Sequence, residues 1–244
     1  MKLRYVTGAI AAAWVGYAWL PHVVARGTVR RVRSTDRRIA LTFDDGPDPV
    51  WTPRILDLLR AHRVRASFFL VGERAARAQD VVRAMAADGH EVANHSWSHV
   101  PLWLCGPRRT ALEIGRTHEL LTALTGTTPR HFRPPWGMMN AATFRVLDRH
   151  RLRCVLWSVQ PEGLRPVDAR AQARFVVRRA RPGAIVDLHD AEGTRRAPER
   201  LAAALPEMIA GLEAAGYELT TVADLLESGE AFRRSPRERP RSPR

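Results

Sequence analysis

Two segments of the chain carry side chains that could bind a metal ion and activate water. Asp44 and Asp45 end an apolar run in LTFDDGP, and His95 and His99 are the first and last residues of HSWSH. Two imidazoles and one carboxylate are the ligand set of a catalytic zinc site with an open coordination position. Because the histidines are four residues apart, one helical turn would bring both rings to the same side. The second aspartate is then available as a general base.

Two further segments could supply the remaining groups of a hydrolase. Arg133 opens RPPWG, and His189 lies in DLHD after an apolar run. An arginine could orient the base, and a histidine could protonate a leaving group. Each segment alone also has a simpler explanation, such as a polar turn, a surface ion pair or a buried histidine. Taken together, the four segments predict metal-assisted hydrolysis.

The elements that must position these residues alternate between strand and helix. Short apolar runs rich in Val, Ile, Phe and Leu predict strands, and longer segments of helical periodicity lie between them. This order predicts an α/β fold with a parallel sheet, and about seven strands favour a barrel. The candidate residues follow these strands, where sites collect in such folds. The predicted strands are 38–44, 66–72, 90–95, 130–135, 153–159, 184–189 and 217–222.

The four segments, in this order, resemble the polysaccharide deacetylases with the NodB homology domain, carbohydrate esterase family 4. The resemblance covers about residues 38–227 and implies a distorted (β/α) barrel. It implies that water attacks the N-acetyl group of an amino sugar and releases acetate and the free amine. It also implies one divalent metal ion, usually zinc, bound by Asp45, His95 and His99.

The remaining roles carry over from the family onto matching residues. Asp44 would be the general base, held in orientation by Arg133. His189 would be the acid that protonates the departing amine. The backbone N–H of Trp136 would stabilise the oxyanion. The residues predicted to bind the oxyanion or the substrate are Trp136, Pro135 and Leu164.

The sequence departs from the family beside the catalytic histidine. Many members carry an acid in a D-x-x-D-W segment that pairs with this histidine, and the corresponding stretch here is QPEGL, 160–164. Asp187 stands where the family often has an apolar residue that lines the acetyl-methyl pocket. Residues two apart in a strand share a face, so we expect Asp187, or as a second candidate Glu162, to raise the pKa of His189. The alternative is that Asp187 only pairs with an arginine.

These departures leave the substrate open. Peptidoglycan, another cell-surface polysaccharide and a lipid-linked saccharide all fit, and the acyl group could be acetyl or a smaller one such as formyl. A rival hypothesis is a catalytically weak, metal-containing protein of the same fold that binds glycan or lipid. It would be favoured if the altered QPEGL segment means lost activity.

The net charge of +14 does not indicate a nucleic-acid partner. The chain has 244 residues, enough for one domain with a sizeable core. Much of the charge lies in the flanks: residues 26–38 hold six arginines and one aspartate, and 228–244 hold six arginines and two glutamates. The body between them is nearly balanced, so no nucleic-acid binding is expected. Cys105 and Cys154 show no metal-type spacing and are expected to be buried thiols rather than a disulfide.

An apolar N-terminal segment predicts a membrane anchor, with a cleaved signal and a buried helix as the alternatives. Residues 5–25 contain no Asp, Glu, Lys or Arg. As a helix, this segment is long enough to span a bilayer core of about 30 Å. The heavier basic flank follows the segment and would keep the domain in the cytoplasm, whereas a basic start before an apolar run is typical of export. We therefore expect a membrane-associated or exported protein. The sequence predicts neither the side of the membrane on which the domain lies nor the oligomeric state. The predicted organisation is an anchor or signal at 1–25, a basic linker at 26–37, the deacetylase domain at 38–227 and a disordered tail at 228–244.

Overall fold

Parallel strands surrounded by helices form the body of the protein. The computed structural model describes residues 13–18, 27–162, 168–191 and 196–234. Residues 13–18 are helical, and single 3₁₀ turns lie at Leu102–Leu104 and Pro135–Gly137. The strands are β1 (Arg38–Asp44), β2 (Ser67–Leu70), β3 (Glu91–Asn94), β4 (His131–Phe132), β5 (Arg153–Cys154), β6 (Ile185–His189) and β7 (Glu218–Thr220). The helices are α1 (Trp51–Ala61), α2 (Gly72–Arg77), α3 (Gln79–Ala87), α4 (Pro107–Thr125), α5 (Ala141–His150), α6 (Ala169–Arg179), α7 (Ala197–Ala214) and α8 (Val222–Arg234).

The seven strands form one parallel sheet that curves into a distorted barrel, as predicted. Their order is β5-β4-β3-β2-β1-β6, and β7 pairs with residues 38–40 of β1 while β2 pairs with residues 42–44. The chain after β5 reaches back to β6 through a bridge between Val159 and Val186. Because all the strands run the same way, their carboxyl ends lie at one end, which we call the mouth.

Alternation along β1 decides which residues face the interior of the barrel. Ile39, Leu41 and Phe43 belong to the core under the helices, whereas Ala40 belongs to a separate cluster with residues of the other strands. Successive side chains in a strand point to opposite faces. Asp44 therefore shares the interior face with Ala40.

Three predicted strands are much shorter than their apolar runs. In the run 130–135, only His131 and Phe132 pair, because Pro134 and Pro135 lack the N–H that a ladder needs. The run 153–159 pairs with β4 only through its first two residues, since it then turns toward β6. The run 217–222 ends at Thr220 and enters α8.

The flanks of the domain differ in part from the predicted boundaries. Within the predicted basic linker 26–37, Val29 bridges to Val155, and Val32 is buried and donates its N–H to Gly183. The apolar side chains of this segment hold it against the barrel. Helix α8 continues to Arg234, so the first residues of the predicted tail are helical.

The predicted N-terminal anchor or signal is described only at residues 13–18, and its other residues lie outside the described part of the chain. Among the residues that the structure describes, no helix combines the length and the apolar character needed to cross a membrane. Cys105 and Cys154 are buried free thiols, as predicted.

Candidate metal centre and active site

The end of β1 sends its two aspartates to different partners. Asp44 lies beside His189 in the register of β1 and β6, and Thr42 lies beside Asp187. Neighbours in register project to the same face, so all four lie on the interior face near the mouth. Asp45 leaves the strand with a φ of 71° and turns toward the loop after β3.

The structure brings Asp45, His95 and His99 together as a potential metal site. One ligand atom from each lies within 4.8 Å of the other two. Oδ1 of Asp45 is 2.9 Å from Nε2 of His99 and 3.4 Å from Nε2 of His95. This triad is the ligand set that the sequence predicts.

The chemistry of these three residues fits a divalent cation. Asp45 Oδ1 is buried and has no hydrogen-bond partner within the described residues, although both imidazoles face it. Nδ1 of His95 contacts the backbone carbonyl of Arg133 at 2.7 Å, which makes Nδ1 the protonated nitrogen and leaves Nε2 free to bind a metal. Burial alone would raise the pKa of the Asp45 carboxyl, but the two imidazoles hold that pKa well below its usual range. An ionised carboxylate and two imidazoles suit zinc.

The two histidines lie on a loop and not on a helical turn, contrary to the prediction. Residues 95–99 have no helical structure, and Ser96 and His99 have φ angles of 67° and 54°. The loop takes this shape because Glu113, on α4, accepts the backbone N–H groups of Trp97 and Ser98. Such strained residues cluster at functional sites, where the surrounding structure must hold them.

Arg133 is fully buried and connects the site residues. Its Nη1 donates to Oδ1 of Asp44 at 2.6 Å, to Oδ1 of Asp187 at 2.9 Å and to Oγ1 of Thr42 at 2.8 Å. The ring of Phe69 lies 4.1 Å below the guanidinium. The contact with Asp44 is the one that the family resemblance implies.

His189 finds its carboxylate partner in Glu162 and not in Asp187. Nδ1 of His189 is 2.5 Å from Oε2 of Glu162, and the other carboxylate oxygen accepts from Gln172 on α6 at 2.8 Å. Burial would lower the pKa of His189, but this hydrogen bond and nearby carboxylates raise it to about 10. The expectation that Asp187 is the partner is therefore wrong, and the second candidate, Glu162, takes that place.

Asp187 instead pairs with an arginine, the alternative considered above. It is buried and hydrogen-bonded to Arg133, and burial together with the charge of Asp44 raises its pKa to about 7. Its charge also contributes to the raised pKa of His189, although less than the hydrogen bond that His189 donates to Glu162. Asp44 and Asp187 thus converge on the same nitrogen, Nη1 of Arg133.

Asp190 is a buried residue of the site that sequence reasoning left without a role. Its Oδ2 accepts from Oγ1 of Thr52 at 2.5 Å, and burial raises its pKa to about 7. A Cβ at Gly46 would lie 2.3 Å from this oxygen, so the glycine of DDGP permits the approach. The adjacency of Asp190 to His189 in DLHD was the available signal.

The loop after β4 brings an aromatic ring over the metal ligands. Trp136 has a φ of 54°, is 58% exposed, and its ring centroid lies 4.4 Å from that of His99. Pro135 beside it is buried. Asn140 fixes the loop because its side chain donates to the carbonyls of Leu102 and Cys105 in the loop after β3. Leu164, predicted to contact the substrate, lies outside the described residues.

The site thus has two halves on either side of Asp44. One half offers three metal-binding groups and an exposed aromatic ring. The other offers a histidine that is held in its protonated form by a carboxylate. Arg133 fixes Asp44 between them. A group that accepts a proton beside a Lewis-acid site, with a proton donor opposite, is the arrangement needed to hydrolyse an amide.

Comparison with known proteins also indicates a deacetylase. A model of the polysaccharide deacetylase family matches residues 31–155. The chain is 35% identical over 203 residues to a chitooligosaccharide deacetylase of Bradyrhizobium sp. (strain ANU 289), which covers 79% of this chain and 92% of that protein. It is 34% identical over 197 residues to a peptidoglycan-N-acetylglucosamine deacetylase of Bacillus cereus, covering 80% and 91% of the two chains.

Solved structures show a similar fold. The crystal structure of the Bc1960 peptidoglycan N-acetylglucosamine deacetylase, in complex with an N-hydroxybenzamide compound, superposes with a TM-score of 0.79 at 31% identity. The match covers 85% of this chain and 97% of that one.

Proposed function

Because this chain belongs to the polysaccharide deacetylase family, we propose that it is a metal-dependent N-deacetylase of amino sugars in a cell-envelope glycan. The observation that carries the proposal is the meeting of Asp45, His95 and His99 with Asp44 at the mouth of the barrel. The names of the similar proteins, which act on chitooligosaccharide and peptidoglycan, support this substrate class.

Each residue of the site then has a task. Asp44 keeps Oδ2 turned toward the ligands, 3.8 Å from Nε2 of His95, while Oδ1 is held by Arg133. It takes a proton from the water that adds to the acyl carbon. His189, held at Nδ1 by Glu162, presents Nε2 and gives its proton to the sugar nitrogen as the C–N bond breaks. The products are the carboxylate and the free amine.

A divalent ion held by Asp45, His95 and His99, with zinc proposed from the donor set, would supply Lewis-acid chemistry at the water and the acyl oxygen. The backbone N–H of Trp136 is proposed as a second donor to that oxygen, and Pro135 and Leu164 as contacts to the substrate. The acyl group is proposed to be acetyl, with formyl as the smaller alternative.

The proposed location is the cell envelope, since one of the similar proteins is named for its action on peptidoglycan, a cell-wall glycan. Residues 1–25 are proposed as its anchor or signal, on the sequence alone. A lipid-linked amino sugar is a further candidate substrate, because the apolar segment at residues 5–25 would place the protein at a membrane.

The direct test is acetate release from chitooligosaccharides and peptidoglycan. We expect release by the zinc-loaded protein, loss of release after chelation, and recovery when zinc is added back. Formate release from an N-formyl substrate would identify the smaller acyl group. No release of either acid by the metal-loaded protein on any of these glycans would contradict the proposal and favour a binding role.

Glu162→Gln is expected to move the alkaline limb of the pH–rate profile to lower pH. The carboxylate favours the protonated imidazole of His189, whose pKa lies near 10 instead of about 6.5. An amide keeps the shape of the side chain but not the charge, so the limb should move toward the ordinary histidine range. The same raised pKa contributes stability that is fully present below about pH 6.5 and is lost as the pH rises through about 10.

Asp187→Asn is the matched control for this measurement. It removes a nearby carboxylate charge without breaking the hydrogen bond at Nδ1 of His189. The profile should move less than in Glu162→Gln. If the two variants move the limb equally, Glu162 is not the partner that sets the pKa of His189.

A further inference from the structure

Within the described part of the chain, most of the exposed large apolar side chains belong to segments at or near the mouth. Seven of them are between 37% and 61% exposed among the residues that the structure describes. Six of the seven belong to residues 13–18 or to the loops that follow β1, β3 and β4 at the mouth, and Leu112 lies in the second turn of α4, just after the loop that follows β3. Outward-facing apolar residues that collect in one region mark interaction sites. These residues, which we call the mouth rim, are Trp14, Val15, Val50, Leu104, Leu112, Trp136 and Met138.

The helical segment 13–18 is attached to the mouth rim. The hydroxyl of Tyr17 donates to the carbonyl of Cys105 at 3.1 Å, directly beside Leu104, and Ala18 is buried. This segment lies within the uncharged run 5–25. Residues 13–18, the described part of that uncharged run, therefore adjoin the loop that carries Leu104.

Two arginines close to Leu104 in sequence lie at a helix N-terminus, where positive charge is unfavourable. Arg108 and Arg109 are exposed in the first turn of α4, which contains no acidic residue. Cations at this end of a helix oppose its dipole and cost stability. Arg109 lies 3.6 Å from Glu113, whereas an anionic partner outside the protein would offset the charge of Arg108. The acid nearest to Val50 in sequence, Asp48, already accepts two backbone N–H groups.

We propose that the mouth rim docks onto the surface of an anionic lipid bilayer. Exposed Leu, Val, Met and Trp side chains would enter the interface, where Trp is favoured, and Arg108 would meet anionic headgroups. The active site would then face amino sugars that lie at, or are attached to, the membrane surface. The docking does not rest on the proposed function, and the two fail in different experiments.

A fluorophore on the mouth rim tests the contact in the full chain. Leu104→Cys, labelled with an environment-sensitive dye, would report on the rim, since Cys105 and Cys154 are buried. Glu213→Cys is the matched control, because it is exposed near the end of α7, away from the mouth. We expect a blue shift at residue 104, and none at 213, with vesicles of phosphatidylglycerol and phosphatidylcholine in equal amounts. Phosphatidylcholine alone should give little change.

Arg108→Glu separates headgroup binding from insertion of residues 5–25. In the labelled Leu104→Cys protein it should weaken the response to anionic vesicles by about tenfold or more. It places an acid at a helix N-terminus, which favours folding. Arg174→Glu, an exposed change of equal charge on α6, should leave the response unchanged.

Three results would overturn the docking. They are no shift at residue 104 on anionic vesicles, an equal shift at 104 and 213, and a shift that appears without lipid as the protein concentration rises, which would indicate a second copy. Arg108→Glu should release acetate from soluble chitooligosaccharide at the unsubstituted rate. A lost lipid response with intact deacetylation concerns the surface alone, whereas absent deacetylation in every form concerns the proposed function.

Discussion

Asp44→Asn is expected to lower turnover by about a thousandfold while the protein still binds a stoichiometric divalent metal ion. The amide keeps an oxygen for the hydrogen bond from Arg133, so the position of the side chain should be preserved. It cannot accept a proton from water at neutral pH. Calorimetric zinc titration and acetate release, measured on the same preparation, check both halves of the expectation.

Asp45→Ala is the matched control, because it changes the neighbouring acid. It should lose the metal and the activity together, since Asp45 is one of the three described residues proposed to hold the ion. His95→Ala and His99→Ala should behave in the same way. Retention of stoichiometric metal by all three alanine variants would contradict the proposed metal site. Full turnover by Asp44→Asn would contradict the assignment of Asp44 as the base.

Arg133→Met is expected to lower the free energy of unfolding by about 3–5 kcal/mol and to remove activity. The arginine is fully buried and pairs with two buried carboxylates. Removing one partner of a buried ion pair leaves uncompensated charge, which is the costly case. For a domain of this size the melting temperature should fall by about 10 °C, as differential scanning calorimetry would show.

A double variant distinguishes the structural from the catalytic role of Arg133. Adding Asp187→Leu to Arg133→Met removes one of the stranded carboxylates and should recover part of the stability. Activity should not return, because Asp44 still lacks the donor that orients it. Recovery of turnover in the double variant would mean that Arg133 acts only through the fold. Arg133→Lys should fall between the two, since an ammonium cannot reproduce the planar fork of donors.

The metal half of the site was predictable because its information is local. Asp45, His95 and His99 are recognisable by type and spacing, and the apolar runs before them predict strands whose carboxyl ends meet. The strand pattern also predicted the number of strands and the barrel. What the spacing could not give was the shape of the loop 95–99, which depends on a carboxylate of α4, Glu113, that is distant in sequence.

The acid half of the site was decided only by the tertiary structure. By sequence, Asp187 and Glu162 were both candidates to pair with His189, and strand periodicity favoured Asp187. The periodicity is correct, since Asp187 and His189 both lie on the interior face. A side chain on that face can, however, pair with any charged group that reaches it. Arg133 arrives from another strand and binds Asp187, whereas the loop after β5 carries Glu162 to Nδ1 of His189.

The two adjacent acids of LTFDDGP illustrate which features of the site the sequence predicts and which depend on the tertiary structure. Residue type and neighbouring motifs predicted that these acids serve as a metal ligand and a base, and the family resemblance implied that Asp45 is the ligand and Asp44 the base. Which charge is neutralised by which partner required the fold, because buried electrostatic energies depend on distances of a few ångströms between residues far apart in sequence. The chain itself determined the parts of the site, and the tertiary structure decided their pairing.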